Sequence, residues 1–188
     1  MDDARNEGEE RTAAVERHAA QSAFGRPLVQ NTLRAVVVEA MIDLALRPDW
    51  RWCSADWAGW DFEHSDGTRL EIKQSAARQT WTAPRKPGQR RFDVAHRQGW
   101  WEGSIWIKRP GRHAHLYVFA DHPLIDDRAD HRDPAQWRFY AVAASDLPSG
   151  RTISLTRVGL LAEPCGYAEL PASVEWLRGA RPSNPTAE

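Results

Sequence analysis

Asp61, Glu71 and Lys73 could do chemistry together if the chain between them folds back on itself. Residues 60–75 read Trp-Asp-Phe-Glu-His-Ser-Asp-Gly-Thr-Arg-Leu-Glu-Ile-Lys-Gln-Ser. Alternate residues of a strand share a face. Trp60 and Phe62 then point one way, and Asp61 and Glu63 the other. On the returning strand Leu70 and Ile72 point one way, and Arg69, Glu71 and Lys73 the other. A loop of Ser65-Asp66-Gly67, with Gly67 left-handed, sets His64 against Thr68 and Asp61 against Glu71. A two-residue Asp66-Gly67 turn would pair Phe62 with Glu71, which the hydrophobic pattern rejects. The favoured register places two carboxylates side by side with a lysine next to them. Such carboxylates repel, and a cation between them is one resolution. A solvated face, with Arg69 paired to Glu63 and Lys73 to Glu71, is the other.

A helix must stand before this hairpin. Residues 31–46 carry Leu33, Val36, Val37, Ala40, Met41 and Leu44 at spacings of three and four, which predicts a buried stripe. Asn31 or Thr32 can cap its start and Pro48 marks its end. Glu39 falls at the edge of the stripe, where a carboxylate needs either a partner or a route to solvent. Arg34, Asp43 and Arg47 read as the solvated side. Residues 48–58 read as a loop rich in tryptophan.

Composition narrows the function classes. A chain of 188 residues supports one core, and 41% hydrophobic content is ordinary for a soluble protein. No apolar run reaches the length of a membrane span and the N-terminus is charged, so the expectation is a cytoplasmic protein with no membrane partner. Cys53 and Cys165 have no metal-type spacing. A net charge of −1 argues against coating nucleic acid by bulk charge, so any such contact must be local. Ten tryptophans is a high count, and Trp serves cores, interfaces and base-stacking surfaces alike.

One local patch qualifies. Residues 78–112 carry nine Lys or Arg against Asp93 and Glu102, interleaved with Trp81, Trp100, Trp101 and Trp106. A nucleic-acid groove uses cations for phosphate and rings for bases; a solvated loop with core tryptophans is the alternative. Residues 92–97 read as a helical turn or a bent strand. Residues 113–120 read as a buried central strand, 137–143 as another, and 168–177 as a last helix with Val174 and Leu177 inward. His113, His115, His122 and His131, with the aspartates of residues 121–133, match no metal motif. The expected organisation is a disordered or loosely helical tail over residues 1–22, one domain over 23–178, and a disordered tail over 179–188.

The order of helix with Glu39, strand with Asp61, turn, then strand with Glu71-Ile72-Lys73 resembles the PD-(D/E)XK nuclease superfamily. Its motif covers about residues 31–81, and Trp60 stands where the family's name has proline. The resemblance implies an α/β fold of α+β mixed-sheet type: a restriction-endonuclease-like core with a central mixed β-sheet flanked by helices. It implies a metal-dependent nuclease acting on DNA, in restriction, repair or phage defence. Asp61 and Glu71 would hold Mg²⁺ (Mn²⁺ may substitute), with the Ile72 carbonyl as a further ligand and Glu39 binding a second ion or orienting water. Lys73 would position the attacking water, and Gln74 would orient the water or the phosphate. Gln79 matches a downstream glutamine of some members. Arg78, Arg85, Lys86, Arg90 and Arg91 would contact the DNA backbone. A homodimer fits cutting both strands in one event. A fold that binds nucleic acid or protein without cutting is the alternative.

Overall fold

The computed structural model of the chain describes residues 2–54, 58–81 and 90–180, with side chains from Asn6 onward. Helix α1 (Asp2–Phe24) is followed by α2 (Asn31–Leu46) and the strands β1 (Trp50–Trp52), β2 (Phe62–His64) and β3 (Arg69–Ala76). Then come β4 (Arg91–Asp93), β5 (Arg97–Glu102), β6 (Ile105–Gly111), β7 (Leu116–His122) and β8 (Arg138–Ala143). Strand β9 (Thr152–Ser154), α3 (Leu155–Val158) and α4 (Leu170–Gly179) complete the order.

The fold is mixed α+β. Its central sheet has the order β1-β2-β3-β7-β8. The first three strands form an antiparallel meander, β7 runs parallel to β3, and β8 closes antiparallel to β7. A parallel neighbour requires a crossover, most often a helix. Here the described part of the β3–β7 crossover contains strands: β4, which pairs with β9, and the β5–β6 ribbon. Strand β7 is buried along its whole length, as its Leu-Tyr-Val-Phe-Ala run predicts for a strand covered on both faces.

Two cores lie on the two faces of the sheet. Helices α2 and α4 cover one, packing Val38, Ile42, Leu46, Leu170 and Val174 on Phe62, Leu70, Ile72, Leu116 and Val118. The β4–β9 pair and α3 cover the other, packing Phe92, Ile153 and Val158 on Tyr117, Phe119, Tyr140 and Val142.

Helix α2 has the bounds that the sequence predicts, but its buried stripe is turned. Arg34, Val38, Met41, Ile42, Asp43 and Leu46 face inward, while Val36 and Leu44 are exposed. The two charged residues expected in solvent are satisfied inside. Arg34 donates to Gln74 at 2.7 Å, Gln79 at 2.8 Å and Asn31 at 2.6 Å. Asp43 pairs with Arg47. Residues 50–52, expected in a loop, form the edge strand β1. The N-terminal segment, expected as a tail or a loose helix, forms the largely exposed α1. Residues 181–188 of the expected C-terminal tail lie outside the described residues.

Candidate active site

The β2–β3 hairpin has the predicted register. Phe62 pairs with Leu70 and Glu63 with Arg69. The His64 N–H donates to the Thr68 carbonyl at 2.8 Å, and Gly67 turns the chain at φ +80°. That left-handed conformation costs glycine little. Arg178 of α4 pins the loop through Asp66 at 2.7 Å.

The ladder stops at Phe62, one residue short of the expected Asp61–Glu71 pair. The Asp61 N–H donates to Leu70 O at 3.0 Å, and Asp61 O accepts from Cys53 and Ser54 at 2.9 and 3.1 Å. The chain bends there like a bulge, which re-aims side chains. Trp60 consequently joins the core under β4 and α3 and not the Phe62 side. The Asp61 carboxylate accepts the Ile72 N–H at 2.6 Å.

This bend gathers carboxylates. Burial pushes the Asp61 carboxyl up to about 8, and the charges of Glu71 and Glu39 push the same way; the Ile72 N–H and Lys73 oppose them. Burial also raises Glu39, against hydrogen bonds from Ser54 and Trp52, the latter at 3.0 Å. Glu39 is therefore neither in the core nor free in solvent. It is anchored to the strand-edge Trp52 within electrostatic reach of Glu71 and Lys73. Lys73 forms an ion pair with Glu71, with side chains 19% and 17% exposed. Glu63 pairs with Arg51 at 2.9 Å, not with Arg69. Arg69 instead stacks on Trp60, 3.6 Å from its ring centre.

Glu71 and Lys73 open into a cavity of about 240 Å³ walled by Gly59, Ala95, Arg97, Gly99, Arg112, His113 and Tyr117. Tyr117 pairs with Glu71 across the β3–β7 ladder. Burial, with the Glu71 charge second, pushes its hydroxyl above the usual range. Burial, then Arg109 and Arg69, lowers the His113 imidazole. Its Nε2 is buried with no hydrogen-bond partner among the described residues. The hairpin pattern could not reveal Arg97 of β5, Tyr117 of β7, or Arg112 and His113 between β6 and β7, all distant in the chain. The ladder across β3 and β7 is the signal that would have found Tyr117. A larger cavity of about 760 Å³, between β8 and α4, contains none of the candidate residues.

Other expected residues have different positions. Gln74 lies on the α2 face of β3, where its carbonyl accepts from Arg34 and its amide donates to Asn31 O at 3.1 Å. Strand parity places it on the face opposite Glu71 and Lys73, where its hydrogen bonds go to Arg34 and Asn31. Burial lowers the Arg34 guanidinium to about 10. Arg90, expected on DNA, forms a two-oxygen pair with buried Asp121 at 3.1 Å. Arg78, also expected on DNA, is paired with Asp127 at 2.7 Å. Arg91 is exposed and donates to Thr152 at 3.2 Å. Arg85 and Lys86 lie outside the described residues.

The donor set of Glu39, Asp61, Glu71 and the Ile72 carbonyl is all oxygen, which suits a hard divalent cation. Burial raises Asp61 most, and the charges of Glu71 and Glu39 add a repulsion that such a cation would relieve. Among the described residues, no group of three carboxylates, histidines or cysteines stands ready to hold a metal. No helix among the described residues is long and apolar enough to cross a membrane. No known family model matches the chain, and no curated protein does.

Proposed function

We propose that the chain is a metal-dependent nuclease that hydrolyses phosphodiester bonds of DNA. The observation that carries this is the Asp61 carboxyl, raised to about 8 by burial beside Glu71 and Glu39, with Lys73 at the same place. A buried carboxyl beside two others is costly to ionise, and such perturbed groups gather at functional sites. The β1-β2-β3-β7 arrangement, with its Asp61 bend and Glu71-Ile72-Lys73 strand, fits a restriction-endonuclease-like core.

Asp61, Glu71, Glu39 and the Ile72 carbonyl would hold Mg²⁺ or Mn²⁺. When bound, the ion polarises the phosphate and acidifies water. The chain's own groups do the rest. Lys73 orients the attacking water or offsets charge on the phosphate, and Arg97 supplies a second cation to the cavity. Water adds to phosphorus, the bond to the 3′ oxygen breaks, and a proton reaches that oxygen. The family resemblance gives products ending in a 5′-phosphate and a 3′-hydroxyl. Ion binding competes with Lys73 for the Glu71 carboxylate.

The Lys73–Glu71 ion pair favours a second reading, a nuclease-like module that binds without cutting. Hydrolysis of labelled plasmid and single-stranded DNA in Mg²⁺ or Mn²⁺ separates the two. Wild type should cut, and Glu71→Ala and Lys73→Ala should not. Equal activity in all three proteins, or none in any, contradicts the nuclease reading.

A further inference from the structure

Among the described residues, the β5–β6 ribbon pairs with no other strand. Its root is fixed: Trp100 is buried, meets Trp60 at 5.7 Å and His113 at 4.5 Å, and lies against Gly59. Its far end is bare. Trp101, Ile105 and Trp106 are 45%, 65% and 40% exposed. An isolated two-stranded ribbon is marginal in water, and exposed apolar patches of this kind mark binding sites.

The register defines one face. Trp101 pairs with Trp106 and Gly99 with Lys108, so these four residues share a side. The two indoles meet edge to face at 5.5 Å. Lys108 is exposed on this face, and by the same alternation Arg109 and Glu102 fall on the other one. Gly99 is required there, because a Cβ would lie 2.1 Å from the Ile107 carbonyl oxygen. At the ribbon's root, Gly99 and Arg97 form the wall of the cavity that holds Glu71 and Lys73.

We propose that this face is a stacking platform for unpaired bases, and that the strand delivered to the Glu71–Lys73 cavity is single-stranded DNA. The proposal rests on the nuclease reading for its destination, though not for binding itself. Indole faces stack on any base once it is unpaired, and neighbouring cations track the backbone. In a duplex the bases are stacked on one another and offer the indoles no face. Glu71 and Lys73 are recessed, so the phosphodiester must enter a confined space. An unpaired backbone bends into it more readily than a stiff duplex does.

The test is fluorescence anisotropy of the full chain with labelled single-stranded DNA, the same sequence as a duplex, and the matching single-stranded RNA. It is run in EDTA so that cleavage plays no part. Single-stranded DNA should bind about tenfold tighter than the duplex, and Trp101→Ala with Trp106→Ala should remove about tenfold or more of that affinity. Lys108→Glu, at an exposed position, should weaken binding and reduce its salt dependence. This second variant decides the matter should the double variant fail to fold by circular dichroism. Equal binding of duplex and single strand, tighter binding of RNA, or unchanged affinity in Lys108→Glu overturns the proposal. So does a double variant that dissociates a dimer and leaves DNA affinity intact. Single-strand binding without hydrolysis in Mg²⁺ would support the platform and retire only the nuclease reading. Cutting of duplex alone would retire only the platform.

Discussion

The Asp61 carboxylate accepts a hydrogen bond from the Ile72 N–H at 2.6 Å, where a regular ladder would supply a main-chain carbonyl. One side chain thus ends the β2–β3 pairing and belongs to the carboxylate cluster. Asp61→Asn can keep the acceptor while removing the charge; Asp61→Ala leaves the buried Ile72 N–H unpaired. Denaturant melts in EDTA should find the Asn variant at least as stable as wild type. The Ala variant should be less stable than the Asn variant by about 1–3 kcal/mol. Equal stability of the two variants would deny the carboxylate its structural role.

The loop length fixes the register. Deleting Ser65 would shift the pairing of Phe62 with Leu70 and break the Asp66–Arg178 contact, with every candidate ligand still in the chain. The deletion should abolish Mn²⁺ binding measured by calorimetry. Retained binding would show that hairpin register does not assemble the site.

Arg34 is fully buried and satisfied by the side chains of Gln74, Gln79 and Asn31. Arg34→Lys places one ammonium where a planar fork made three bonds. It should cost on the order of 3 kcal/mol in a urea melt through the acceptors left unpaired. A loss within experimental error would mean that water replaces the guanidinium.

Charged residues were where the sequence was least legible. The bounds of α2 follow from periodicity and Pro48, and the hairpin register follows from Gly67 and the alternation of Phe62, Leu70 and Ile72. The inward phase of α2 was hidden because Arg34 and Asp43 count as solvent residues until their partners are known. Those partners include amides about 40 residues away on β3 and beyond it. The Arg90–Asp121 pair was hidden in the same way, across 31 residues. The Trp60 face could not be read because the bend at Asp61 breaks strand parity. In the basic stretch, interleaved aromatics were visible, but alternation did not separate buried Trp100 from exposed Trp101 and Trp106.

His131 links the segment between α1 and α2 to the loop after β7. Its Nδ1 accepts from Val29 N–H at 3.0 Å, and its ring packs 5.0 Å from His122. Burial, then the Arg34 and His122 charges, lowers its pKa from 6.5 to about 4. The folded protein therefore prefers the neutral ring. The stabilisation is present above about 6.5 and is lost as pH falls through about 4. The melting temperature of wild type should fall between those pH values more steeply than that of His131→Gln. Parallel profiles would remove His131 from the acid response.

In the proposed nuclease, Glu39, Asp61 and Glu71 together hold a divalent cation. Titration calorimetry of Mn²⁺ into the full chain at neutral pH tests it directly. The prediction is saturable binding by wild type that is lost in Asp61→Asn and in Glu71→Gln, with both variants folded. No binding by wild type, or equal binding by all three proteins, would contradict it.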